Sequence, residues 1–198
     1  MIRLILLSLV LGFGAGYAFL TPDQGPLLDT ILMNALNIMI FVSGIEIGEN
    51  KALIRQFVTP RNLSLCLAIP AAITLGSLTL GTLFGLLTGL PSRDSLLVSA
   101  GMGWYSLSSV VIGSLYSTKV GAIAFIANSL RELLCFISVP LLTRWYKFPC
   151  IGLGGASTMD STMPVLLKYI NTPAAILGFV SGFLLTLEIP FLLTFLMP

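Results

Sequence analysis

Apolar residues fill this chain in long runs, without the alternation of a strand or the single stripe of a surface helix. Ile2 to Leu20 is apolar apart from Arg3, and comparable runs cover about Leu27–Gly48, Leu63–Gly89, Gly121–Thr143 and Pro173–Met197. Each approaches or exceeds the roughly 20 residues that a helix needs to cross a hydrocarbon core, so the pattern predicts five transmembrane helices. The first run would also suit a signal peptide, with Gly16-Tyr17-Ala18 as a cleavage site, but similar runs recur down the chain and favour a span. Gly81, Gly85 and Gly89 recur every four residues along one face of the third run, as do Gly12 and Gly16 in the first. Such small-residue ridges let helices approach closely.

Two further segments are hydrophobic but broken by small and polar residues. One reads Ser99-Ala100-Gly101-Met102-Gly103-Trp104-Tyr105-Ser106-Leu107-Ser108-Ser109. The other runs from Gly152 through Leu153-Gly154-Gly155-Ala156-Ser157-Thr158-Met159-Asp160-Ser161-Thr162 to Met163-Pro164. Neither composition sustains a regular helix. The positive-inside rule places Lys51, Arg55 and Arg61 in the cytoplasm, with the N-terminus on that side. Arg144 and Lys147 join them only if the Gly101 segment enters and returns on the outer side, and the Asp160 segment then dips from the cytoplasm. Gly101, Gly103 and Ser106 match Gly152, Gly154 and Ser157 at one spacing. Opposed dips with matching sequences suggest the inverted repeat found in secondary transporters. The expected fold is therefore an all-α polytopic membrane protein with about five transmembrane helices and two re-entrant or broken Gly/Ser-rich segments. It forms a single transmembrane domain over 1–198, with three spanning helices in 1–90 and a substrate-site half in 91–198, whose breaks lie near 99–109 and 152–164. The C-terminus falls outside.

Composition supports this reading and narrows the chemistry. Of 198 residues 56% are hydrophobic and only 9% charged, against roughly 25% charged in a soluble domain. Ten basic and eight acidic residues lie scattered, so there is no basic patch for nucleic acid. With no histidine, and with Cys66, Cys135 and Cys150 too far apart for a Cys-x-x-Cys pair, the sequence offers neither a zinc nor a haem site, and no cofactor is implied.

The remaining candidates are carboxylates, amides, hydroxyls and backbone. Glu132 falls near the bilayer centre, where an ionisable group costs at least ~2.5 kcal/mol. Asn128 lies four residues before it on the same face as Phe125 and Cys135, while Arg131 points about 100° away. Asp160 sits among Ser157, Thr158, Ser161 and Thr162 at what reads as the start of a half-helix. The purely structural alternatives are a buried pair locking helices together, with Arg131 neutralised by Asp160, and an Asp160 that merely caps a helix. Glu46 and Glu188 are weaker candidates, and nothing in the sequence explains Glu188. Together these groups suit a ligand carrying both charges, such as a cationic amino acid. Its ammonium groups would face Glu132 and Asp160, and its carboxylate the N–H and hydroxyl groups around 101–109 or 154–157. Spacing does not choose among lysine, arginine, ornithine, a polyamine and sodium.

The sequence also resembles a known family, the lysine exporter LysO family of bacterial and archaeal inner-membrane proteins. The resemblance is carried in order by Phe41-Val42-Ser43-Gly44-Ile45-Glu46-Ile47-Gly48, Gly103-Trp104-Tyr105-Ser106-Leu107-Ser108, Asn128-Ser129-Leu130-Arg131-Glu132-Leu133, Gly154-Gly155-Ala156-Ser157-Thr158-Met159-Asp160 and Met163-Pro164-Val165. It implies a secondary transporter in the lipid bilayer of the inner membrane, not an enzyme, that exports L-lysine and its toxic analogue thialysine. Glu132 and Asp160 would be its functional carboxylates and exchange protons, with sodium as the alternative ion. Asn128, Arg131, Ser106, Ser157, Thr158, Trp104 and Tyr105 complete the expected substrate site. Full-length members carry roughly three further N-terminal helices, so the resemblance implies a small membrane protein partner that supplies them; a homo-oligomer is also open. The rival functions are an intramembrane aspartyl-type hydrolase, which lacks its Gly-x-Gly-Asp pattern here, and a non-transporting structural subunit.

Overall fold

In the computed structural model the described residues are 2–19, 59–143, 145 and 149–197, with single helical positions at 27, 31, 34, 38, 41 and 45. The expected second span, Glu46, and the charges at Lys51, Arg55, Arg144 and Lys147 lie outside them. The described residues contain helices and no strand. They form α1 (Ile2–Phe19), α2 (Pro60–Leu87), α3 (Ser92–Ala100), α4 (Tyr105–Leu115), α5 (Thr118–Leu142), α6 (Pro149–Gly154), a 3₁₀ turn (Gly155–Met159), α7 (Met163–Tyr169) and α8 (Thr172–Leu196). Three of these helices, α2, α5 and α8, are long and apolar enough to cross a membrane. The chain is an all-α, multi-pass membrane protein.

Local sequence sets the helix ends. Thr59 accepts a hydrogen bond from Asn62 N at the start of α2, and Asn171 accepts one from Ala174 N at the start of α8; each is followed by proline in the first turn. Gly89 departs from the expected ridge. At φ +82° it terminates α2, with Gly89 N bonded to Leu86 O and Leu90 N to Gly85 O, the left-handed glycine stop of a helix. The ridge itself is Gly81 and Gly85, against which α3 lays Ser99 and Ser95; a Cβ at either glycine would overlap those serine side chains. A second close approach joins Gly113 of α4 to Gly121 of α5, where a Cβ on Gly121 would lie 2.7 Å from the Gly113 Cα.

The two broken segments are helical hairpins that enter from opposite ends of the bundle. Tyr116 Oη, just past the end of α4, donates to Asp94 Oδ1 in the first turn of α3 at 2.7 Å. The start of α3 and the end of α4 therefore lie at one level, and the chain between them goes in and returns. At nine and eleven residues, α3 and α4 are about 14 and 17 Å long, roughly half of a ~30 Å hydrocarbon core. The second hairpin, α6 to α7, opens at the other end. Cys150 at its start and Val165 and Leu166 near its close share a core with Val139 late in α5 and Ala175 early in α8. Ile151 packs with Cys66, Ala174 and Leu177, at the start of α2 and of α8. Opposed hairpins are the arrangement expected of an inverted repeat.

Candidate functional site

The hairpin tips meet. Gly101–Trp104 interrupts the first hairpin and Gly155–Thr162 the second, each inside the range expected from sequence. Ala156 N donates to Met102 O at 2.9 Å, bonding one tip to the other. Glycine is required on both sides of this crossing. Gly103 (φ +97°) would place a Cβ 2.6 Å from Gly154 O, and at Gly155 (φ +64°) a Cβ would fall on the Met102 carbonyl oxygen. Gly103 and Gly154, equivalent in the weak sequence repeat, thus touch. Met102 is itself left-handed at φ +42° and fully buried, a strained backbone that the crossing holds in place.

Helix α5 runs past the crossing and fastens each tip with one side chain. Asn128, 4% exposed, accepts from Gly103 N at 2.8 Å and donates to Val98 O and Ala124 O at 3.1 and 2.9 Å. Both amide protons and one acceptor site of the oxygen are thereby spent on the first hairpin and on its own helix. Arg131 does not meet Asp160, contrary to the neutralising pair considered from sequence. Its Nε donates to Leu153 O at 3.0 Å and an Nη to Gly152 O at 2.8 Å, while the other Nη donates to Ser77 Oγ of α2 at 2.9 Å. The physical reason is the break at Gly155, where the helix loses its regular carbonyl partners. Its last carbonyls form the negative end of the helix, and a planar guanidinium satisfies two of them at once.

The carboxyl groups lie beside this crossing. Glu132, also buried, accepts a hydrogen bond from Ser161 Oγ, and the same Oγ is 3.1 Å from Asp160 Oδ1. Ser161 N also donates to Asp160 Oδ1. Asp160 therefore turns toward Glu132 instead of capping α7, whose N-cap position is Thr162. Neither carboxyl has an ion-pair partner among the described residues. One hydroxyl carries one proton and can donate to one carboxyl only, so its contact with the second is a hydrogen bond only when that carboxyl is protonated.

The remaining expected site residues divide between shaping the tips and facing outward. Ser157 Oγ donates to Gly154 O at 3.1 Å, and Thr158 Oγ1 reaches both Gly155 O and Gly178 O at 2.7 Å, tying the second tip to α8. The Trp104 carbonyl accepts from Ser108 N and Oγ, and its ring packs on the main core. Tyr105 stacks edge-on against Phe125, with centroids 5.5 Å apart, and lies within electrostatic reach of Glu132 and Asp160. Ser106 is exposed. The N–H groups of Gly103, Trp104 and Ala156, offered from sequence as anion ligands, are already bonded within the protein. Ser161 and Ser77 were not among the site residues expected from sequence. Ser161 had a signal, its place between Asp160 and Thr162 in a polar run; Ser77 had none.

Comparison with known proteins fits this architecture. The model of the family described as lysine exporter LysO matches residues 6–197. The chain belongs to the lysine exporter LysO family. It is 30% identical over 160 residues to lysine exporter LysO of Escherichia coli (strain K12), covering 81% of this chain and 52% of that protein. It is 31% identical over 157 residues to a protein named putative lysine exporter from Haemophilus influenzae (strain ATCC 51907 / DSM 11121 / KW20 / Rd), covering 79% of each. The chain thus spans about half the length of the Escherichia coli relative. No solved structure matches it. Of the motifs that carried the resemblance, 103–108 and 154–160 lie at the hairpin tips, 128–133 on α5 and 163–165 at the start of α7, while 41–48 falls outside the described stretches.

Proposed function

We propose that this chain forms the substrate-site part of a secondary carrier that exports L-lysine, and with it thialysine, across the inner membrane in exchange for protons. The observation that carries the reading is the pair Glu132 and Asp160, linked by Ser161 at the meeting point of two opposed hairpins and lacking any cationic partner among the described residues. A lysine ammonium is a suitable counter-charge, and when it leaves, protons take its place on the same carboxyls. Competition between the two ligands is sufficient for antiport. The same carboxyls would serve a hydrolase, but the family's named relatives are exporters, and no observation favours hydrolysis.

Asn128 and Arg131 act in this reading by holding the tips in register, and Trp104, Tyr105 and Ser106 flank the cation. The N-terminus is cytoplasmic and the end of α8 external, in line with the distribution of Lys and Arg. On the strength of the family resemblance, the proposal includes a small membrane protein partner. The test is uptake of radiolabelled lysine into inverted membrane vesicles with an imposed pH gradient, acid inside. Accumulation driven by that gradient is expected. Accumulation driven only by a sodium gradient would replace the proton with sodium, and none under either gradient would defeat antiport.

A further inference from the structure

A third carboxyl lies in the membrane, away from this pair. Glu188 is on α8, four residues or about 6 Å beyond the middle of a 25-residue apolar span. Its partner is a hydroxyl: Thr74 Oγ1 of α2, itself 8% exposed, donates to Glu188 Oε2 at 3.0 Å. An intramembrane carboxyl needs a counter-charge or a proton. On the elements packed against α8, the charged groups whose side chains are described are Arg93 and Asp94 of α3, Asp160 after the 3₁₀ turn, and Lys168 of α7. None of them forms an ion pair with Glu188 among the described residues. Arg93 instead reaches Leu196 O, and Arg131 is held by Ser77 and two carbonyls.

A second observation extends from this carboxyl toward the pair. Ser181 precedes Glu188 by seven residues, which puts both on one face of α8 about 10 Å apart. Its hydroxyl is fully buried and has no hydrogen-bond partner among the described residues, an arrangement that leaves a polar group unsatisfied. The next residue, Gly182, lies against the second hairpin tip, where a Cβ would sit 2.6 Å from Met159 N, one residue before Asp160. Glu188 and Ser181 thus share one face of α8, and Ser181 borders the adjacent face, which packs on the tip that bears Asp160.

We infer that Glu188 is a proton-binding site of the carrier, relaying protons along α8 past Ser181 between the end of the bundle near Leu196 and the Glu132–Asp160 pair. This rests on the proton-exchange reading above. The relay moves a proton only; no bond other than O–H forms or breaks, and Glu188 returns to its starting state each cycle. Lysine–lysine exchange needs no net proton movement, so it does not require the relay.

The test uses inverted vesicles from cells making the chain in its native setting. Glu188→Gln and Ser181→Ala are each compared with the unaltered protein for radiolabelled lysine–lysine exchange and for accumulation driven by an acid interior. Glu188→Gln is expected to keep exchange and lose acid-driven accumulation, and Ser181→Ala to keep exchange and slow accumulation. Independently, a hydrophobic carbodiimide, which modifies protonated carboxyls inside membranes, is expected to label Glu188, read by peptide mass. Acid-driven accumulation at the unaltered level in Glu188→Gln overturns the inference. If that variant loses exchange as well, labelling decides: a labelled Glu188 upholds the proton site, and an unlabelled one overturns it. Absence of lysine exchange in the unaltered vesicles would instead be a failure of the transport reading.

Discussion

At the scale of single residues, charge and hydrogen-bond geometry make separable predictions. Glu132→Gln and Asp160→Asn keep side-chain shape and remove the charge that, in the proposed carrier, binds the lysine ammonium. Each is expected to abolish resistance to thialysine in cells while leaving membrane levels of the protein unchanged, checked by growth on the analogue and by immunoblot. Loss of the protein itself would mean that the pair serves the fold. Ser161→Ala leaves both carboxyls and should weaken resistance without removing it. For Arg131 the outcome turns on shape: a lysine keeps the charge but cannot reach Leu153 O, Gly152 O and Ser77 Oγ from one planar fork. Losing such charge-assisted bonds costs on the order of 3 kcal/mol, so Arg131→Lys should lower the melting temperature and transport together. Sequence showed Arg131 as a charge within the membrane and placed it in the substrate site, with a pair to Asp160 as the structural alternative. A carboxylate was the obvious complement, and carbonyls freed by a helix break 22 residues away leave no mark in composition. The linking role of Ser161 was obscured for a related reason, because a hydroxyl's partner is set by tertiary approach.

At the scale of elements, sequence was more informative, because runs of Gly and Ser within hydrophobic segments have few structural outcomes. The first break carries an in-and-return path, seen in the Tyr116–Asp94 bond that joins the start of α3 to the end of α4. What could not be read was which glycines matter. Gly81 and Gly85 pack as a ridge, Gly89 ends its helix, and Gly76, with nothing within 4 Å of where a methyl group would sit, does neither. Gly103→Ala places a side chain in left-handed backbone, costing about 1–2 kcal/mol, and drives it into the Gly154 carbonyl as well. It should destabilise the detergent-solubilised protein and abolish transport by separating the tips. Gly76→Ala is the control: an open, helical glycine should tolerate alanine or gain about 0.5–1 kcal/mol. A thermal-shift comparison of the two variants decides whether tip contact or general helix sensitivity is at work.

For the whole molecule, the membrane potential sets the energetic problem. Moving a lysine cation outward against an inside-negative potential costs about 2.3 kcal/mol per 100 mV, so a passive route would favour import. In the proposed carrier something must move inward in exchange, and the proposal assigns that role to protons on the two carboxyls at the hairpin tips and, by inference, on Glu188. The number used per cycle sets the driving force. One proton per lysine is electroneutral and responds to the pH gradient alone, whereas two carry net charge and also respond to the potential. The Glu132–Ser161–Asp160 cluster has two carboxyls facing one hydroxyl, and a lysine side-chain ammonium with its α-ammonium offers two positive charges to replace two protons. Two protons per lysine is therefore the expected stoichiometry. In inverted vesicles with no pH gradient, a potassium-diffusion potential set by valinomycin, positive inside, mimics the cell's orientation and should drive lysine uptake. Reversing the sign should suppress it. Uptake unaffected by either sign, yet stimulated by an acid interior, would reduce the stoichiometry to one and leave one of the two tip carboxyls with a binding role only.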